Sequence, residues 1–277
     1  MKLPSVVAGQ FYPDSPRELE KLFKSFETLP LPLLAGVPRG LLLPHAGYVY
    51  SGALAALGYR ALAGEAQTLV VVGPSHWVRF PGLSIFEGEA AQTPLGDLPV
   101  DREACRFLLD QSPAFSRFEP AFAREHSVEA HFPLIKRYCP GAKVVPIIAG
   151  QGLQATVEPL VSALRALGRQ KRLLLVASSD LSHYPDYGTA VEADRRFLRA
   201  VLTGEEKAIR AADRKILAEK HPELLCTHCG PEPLLGLARW AAAEKALKTQ
   251  LLSYRNSGDV TGDRRRVVGY GAVAFCA

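Results

Sequence analysis

The chain has 277 residues, of which 48% are hydrophobic, and it carries 33 Lys and Arg against 28 Asp and Glu, for a net charge of +5 and a pI near 9.0. The length is ample for a core, in one large α/β domain or two small ones. The basic residues are scattered and their densest cluster, Arg264-Arg265-Arg266, is short and lies between turn residues and a strand; with no basic helix and no interleaved aromatics, this argues against nucleic-acid binding.

Met1 is followed by Lys2-Leu3-Pro4 with no apolar leader core, and no apolar run approaches the ~18 residues a spanning helix needs. A cytoplasmic location without membrane attachment is expected. Five cysteines, an odd number, fit a reducing compartment in which thiols stay free or bind metal. No linker or low-complexity tract divides the chain, and strand-like runs continue from residue 40 to residue 275, which favours one domain over residues 1–277.

In chain order, Ser15 can cap a helix, with Pro16 at its first position and Glu18 completing a capping box, and apolar spacing carries it from Leu19 to Phe26. A Pro-rich connector, Leu29 to Pro38, leads to a buried strand, Leu41 to Leu43, which ends at Pro44-His45. Small and aromatic residues, Ala46 to Gly52, precede a helix running to Ala61. The second strand, Leu69 to Val72, ends at Gly73-Pro74-Ser75-His76. The Gly/Pro/Thr-rich region from Leu83 to Pro99 reads as a hairpin or excursion outside the core.

Arg102 to Asp110 reads as a helix. Another starts in Arg124 to His131 and ends near Cys139; on it Glu125 and Glu129 share a face, while His126 and His131 diverge by about 140°. Val144 to Ile148 is a strand, Leu153 to Leu167 an amphipathic helix, and Leu173 to Ala177 a strand that runs into Ser178-Ser179-Asp180-Leu181-Ser182-His183. Val191 to Leu202 and a stretch around Lys215 to Lys220 are helical. Cys226-Thr227-His228-Cys229 precedes a helix from Pro233 to Ala246. Leu251 to Tyr254 and Val267 to Phe275 are two strands joined by a turn-rich segment, Asn256 to Asp263.

The same construction recurs three times: a short aliphatic run, small or turn residues, then His45, His76 or His183. Such runs fit strands covered on both faces, and in open α/β sheets ligands gather outside the carboxyl ends of the strands. Any one of these histidines alone reads as well as a loop or core residue. Three repeats point to a site. Cys229, before a helix, is placed as a ligand or reactive thiol, or else as a small buried hydrophobe. Two histidines and a thiolate would leave a metal an open position, and favour Fe(II), copper or zinc over Mg²⁺ or Ca²⁺. Asp180 could orient His183 as general acid or base. A Ser179-His183-Asp180 triad is a rival without a Gly-x-Ser-x-Gly elbow around its serine. Glu125, His126, Glu129 and His131 either belong to the site or are helix-start chemistry.

Gly9-Gln-Phe-Tyr-Pro13, Pro44-His-Ala-Gly-Tyr48, Gly73-Pro-Ser-His76, Glu125-His-Ser-Val-Glu-Ala-His131, Ser178-Ser-Asp-Leu-Ser-His183, Cys229-Gly230 and Ser257-Gly-Asp-Val-Thr-Gly262 resemble, in order, the motifs of the Memo family. The resemblance spans nearly the whole chain. It implies a single αβα three-layer domain around a mixed, largely parallel sheet, like that of class III extradiol dioxygenases. It places one mononuclear metal on His45, His76 and Cys229, with His183 and Asp180 as catalytic residues and Tyr48, Ser75, Glu125, His126, Glu129 and His131 lining or supporting the pocket. Fe(II) is expected first, then copper, then zinc. Extradiol dioxygenases use a carboxylate where this family has cysteine. Prokaryotic members are called AmmeMemoRadiSam system protein B, which implies AMMECR-type and radical-SAM partners. The functions implied are an iron- or copper-dependent oxidoreductase acting on a small molecule, a non-catalytic metal or peptide binder, and a zinc hydrolase.

Overall fold

In the computed structural model, residues 1–62, 68–246 and 248–277 are described. The elements, in order, are β1 (Lys2–Leu3), α1 (Pro16–Phe26), β2 (Pro38–Leu43), α2 (Ala53–Arg60), β3 (Thr68–Pro74), β4 (Leu83–Ile85), β5 (Ala90–Ala91), β6 (Leu98–Pro99), α3 (Arg102–Gln111) and β7 (Phe115–Ser116). There follow α4 (Phe132–Tyr138), β8 (Lys143–Ala149), α5 (Leu153–Gly168), β9 (Leu173–Ser178), α6 (Tyr187–Val201), α7 (Glu206–Ala218), α8 (Pro231–Ala243), β10 (Lys248–Asn256), α9 (Gly258–Thr261) and β11 (Gly269–Cys276). Among the described residues, no helix is long and apolar enough to cross a membrane.

Eight strands form one mixed sheet in the order β10-β11-β2-β9-β3-β8-β4-β7. Its centre, β2, β9, β3 and β8, is parallel, and antiparallel strands flank it. Every residue of β3 and β9 is buried, as aliphatic strands covered on both faces must be. The helix α8 packs on β2, β9 and β3, with α5 against it, while α2 covers β2, β10 and β11 from the other side with α1 and α4 beside it. Alternation along β2 sets this up: Gly40 meets Leu237 of α8, and Leu43 presses on Gly58 of α2. The architecture is therefore the αβα arrangement around a mixed sheet that the sequence implied.

Ser15 accepts from the Glu18 amide at 3.5 Å to start α1, which buries Leu19, Phe23 and Phe26. Three readings need correction. Leu83–Ile85 is no excursion: it pairs antiparallel with β8, fully buried, and only β5 and β6 leave the main sheet, forming a small sheet with β1 while Ala91 and Leu98 stay in the core. The segment from Arg124 does not start a helix. The Glu125 carboxylate turns back on the Ser127 amide at 2.9 Å and the His76 amide at 2.6 Å, a local alternative to helical pairing, so only a 3-10 turn at Glu129–His131 precedes α4. The helix placed around Lys215 to Lys220 starts earlier, at Glu206.

Candidate metal centre

Strand order decides what gathers. Because β9 lies between β2 and β3, the loops after three adjacent parallel strands deliver His45, His183 and His76 to the same edge. The rings of His45 and His76 are 5.2 Å apart. His126, released from helical geometry, stacks on His76 at 4.6 Å and lies 5.4 Å from His45. One ring nitrogen from each of these three imidazoles falls within 4.8 Å of the others. The Cys229 sulfur is 3.3 Å from His45 Nε2.

Neighbouring groups hold His76, His45 and Cys229 in place. His76 Nδ1 lies 2.9 Å from Glu125 Oε1, so its N–H donates to the carboxylate and Nε2 is left free. Asp180 Oδ1 accepts the His45 backbone N–H at 2.9 Å. Cys229 is seated by Asp180, whose amide donates to its sulfur at 3.3 Å, and by Gly230, which approaches the Ser178 carbonyl too closely for a side chain.

Burial, with His76 and His126 as neighbours, pushes His45 well below the ordinary histidine range. Burial also lowers His126, to about 4, despite Glu125 beside it. Both are neutral at pH 7, the form that binds metal. Burial and the Asp180 charge push the Cys229 thiol up, opposing the idea that the start of α8 makes it a thiolate by itself; a cation would be required. Burial alone would raise Glu125, but the His76 contacts outweigh it and its carboxyl is lowered.

The donor set fits a metal. Nitrogens ~2.1 Å from one tetrahedral ion lie ~3.4 Å apart, and a nitrogen and a thiolate on the same ion ~3.6 Å, so the observed spacings need shifts of about 1 Å or less. Imidazole and thiolate donors suit borderline-soft transition metals.

The family description Memo-like protein matches residues 4–274. The chain belongs to the Memo family. It is 33% identical to a MEMO1 family protein of Ignicoccus hospitalis, with 98% of both chains covered, and 34% identical to one of Methanothermobacter thermautotrophicus, covering 95% and 96%. A MEMO1 family protein of Thermotoga is 32% identical over 98% of each chain. The fold is similar to that of an uncharacterized protein, JW3007, of Escherichia coli K12, with a TM-score of 0.54 at 17% identity, covering 85% of this chain and 98% of that one.

In this Memo-family chain the supporting residues divide. Glu125 and His126 stand at the centre. Glu129 faces away: it accepts from the Val6 and Val7 amides at 2.8 and 3.0 Å and from the Tyr12 hydroxyl at 2.6 Å, tying down the amino-terminal segment. Tyr48 is buried among Tyr12, Phe23 and Phe26, its hydroxyl on the Ala130 carbonyl at 2.7 Å, and so does not line the pocket. Ser75 closes a turn onto the Val78 carbonyl. His131 reaches the centre only through Ser178, at 2.8 Å.

No hydrogen bond joins Asp180 to His183, because the carboxylate is engaged by the His45 amide and His183 Nδ1 donates to the Leu181 carbonyl at 2.8 Å. The Ser179 hydroxyl bonds the Asp180 carbonyl and accepts from the Gly230 amide, so the triad is not assembled. Sequence reasoning missed two contributors. Ser178 contacts two imidazoles, and Phe11, 4.6 Å from the His126 ring, covers it; the Gly9 to Pro13 motif was the available signal for the second.

Proposed function

We propose that this Memo-family protein holds one transition-metal ion on His45, His76 and His126, with Cys229 as the sulfur donor beside His45, and acts as an oxidoreductase on a small molecule. The single observation that carries the reading is the convergence of three imidazoles within 4.8 Å, beside a thiol. Fe(II) comes first, then copper, then zinc, from the mixed nitrogen and sulfur donors. When bound, such an ion supplies electron transfer or polarisation to a small molecule at an open position.

The chain's own residues do the rest. Glu125 orients the His76 ring, and Asp180 holds the His45 backbone in place while burial keeps that imidazole neutral. His183 keeps its proton on Nδ1, since a carbonyl can only accept, and its Nε2 is then free to take a proton from a bound molecule. Phe11 shields one side from water.

The test is elemental analysis of protein purified without oxygen or chelator, followed by oxygen and peroxide consumption. Stoichiometric iron or copper, lost in His45→Ala and His76→Ala, and turnover slowed in His183→Ala without metal loss are expected. Separate Cys229→Ala and His126→Ala variants rank the remaining donors. Consumption no faster than in His45→Ala would remove the oxidoreductase reading in favour of a metal- or peptide-binding protein serving radical-SAM and AMMECR-type partners.

A further inference from the structure

Ser178 ends β9 beneath the centre and is fully buried. Its hydroxyl oxygen has three partners: the Ser127 carbonyl at 2.6 Å, His45 Nδ1 at 2.7 Å and His131 Nε2 at 2.8 Å. A hydroxyl has one hydrogen and two lone pairs. The carbonyl can only accept, so the hydrogen goes to Ser127. Both lone pairs are then left to receive N–H groups, one from each imidazole. His45 must carry its proton on Nδ1, and its Nε2 lone pair faces the Cys229 sulfur.

His131 corroborates this from the other side. Its Nδ1 is buried with no partner, while Nε2 bonds Ser178. With the proton on Nε2, the unpartnered atom is a bare lone pair. With the proton on Nδ1, a buried N–H would lack an acceptor, the costlier arrangement. His131 therefore occupies the second lone pair of Ser178 as a donor, and the oxygen has no capacity left to donate to His45.

We infer that Ser178 is a positioning residue that selects the Nδ1–H tautomer of His45, with the Ser127 carbonyl and His131 fixing the direction of the hydroxyl. It would do for His45 what Glu125 does for His76, using a neutral group where a second carboxylate would add buried charge. As a statement about metal the inference rests on the proposed centre, but the tautomer itself belongs to the metal-free protein.

Long-range proton–nitrogen correlation spectra of metal-free, nitrogen-15-labelled protein above pH 7 read the tautomer directly. The native protein should show His45 protonated on Nδ1 and His131 on Nε2. In Ser178→Ala, His45 should redistribute towards Nε2–H while the His76 signals stay in place, and affinity for Zn²⁺ should fall about 10–100-fold, as for other residues that orient a ligand. Ser178→Thr, which keeps the hydroxyl, should restore both. If Ser178→Ala does not fold, the double variant with His131→Phe removes the second stranded N–H and takes its place. His45 protonated on Nε2 in the native protein, or an unchanged His45 tautomer in the Ala variant, overturns the inference. Should the native protein bind no Zn²⁺, the metal reading fails and the tautomer result alone decides the role of Ser178.

Discussion

Glu125 is the clearest case of one side chain working through several contacts: it meets the amide and ring of His76, the Ser127 amide and the edge of His126. Glu125→Gln keeps the shape but removes the charge that draws the His76 Nδ1 proton. Metal affinity should drop about 10–100-fold, measured by competition with a chelator. Asp194 makes a different argument. Burial raises its carboxyl to about 6, against the Ser182 amide and Tyr254 hydroxyl that bond it. A raised carboxyl contributes stability that is fully present below the unfolded value near 3.8 and lost as pH rises through 6. Asp194→Asn should thus gain stability relative to the native chain between pH 4 and pH 8, by up to about 3 kcal/mol. Paired thermal melts would read it, and a difference that stays flat with pH would refute the assignment.

At the scale of elements, two junctions hold the centre. The amino-terminal segment is tied by Glu129 through the Val6 and Val7 amides and the Tyr12 hydroxyl, and this places Phe11 on His126. Glu129→Ala strands those donors. Destabilisation by about 2–4 kcal/mol is expected, with faster amide exchange at Val6 and Val7 than in the sheet. The other junction is the start of α8, where a Cβ on Gly230 would sit 2.7 Å from the Ser178 carbonyl and 2.9 Å from Ser179 Cβ. Backbone cannot swing aside as a side chain can. Gly230→Ala should cost about 1–3 kcal/mol in denaturant unfolding and displace Cys229, read as altered thiol reactivity.

For the whole molecule, lowered histidines dominate the acid response: His45 is held well below its ordinary range, and three more act in the same direction. His126 and His228 are lowered to about 4 and His131 to about 3, all chiefly by burial. Depressed groups of this kind leave stability intact above pH 6.5 and remove it as pH falls towards the folded values. Each costs about 2 kcal/mol by pH 5, and Asp194 offsets about 1. The metal-free protein should therefore unfold cooperatively on mild acidification. Bound metal, by holding imidazoles deprotonated, should move the transition to lower pH and add about 4 kcal/mol at a thousandfold excess over its dissociation constant. Chelator should reverse both shifts; melting curves unaffected by metal at pH 5 would count against the centre.

The chain by itself determined the central strands and the edge where the site lies. A run such as Leu69 to Val72 is aliphatic at every position and stopped by Gly73-Pro74, so its burial on two faces and its end are local properties. The recurring histidine after such runs was legible for the same reason, and the family motifs carried the αβα arrangement. Strand order was not legible. That β9 enters between β2 and β3, bringing the loop of His183 to the same edge as His45 and His76, follows from pairing across long stretches of chain, which no window of sequence records. The place of His126 depended on a carboxylate folding back on amides 49 and 2 residues away, outweighing a plausible helix start. Ser178 was invisible as a hub because its three partners come from separate segments. Hydrophobic period is written locally, whereas a buried hydroxyl's hydrogen bonds are settled only when distant segments have excluded water together.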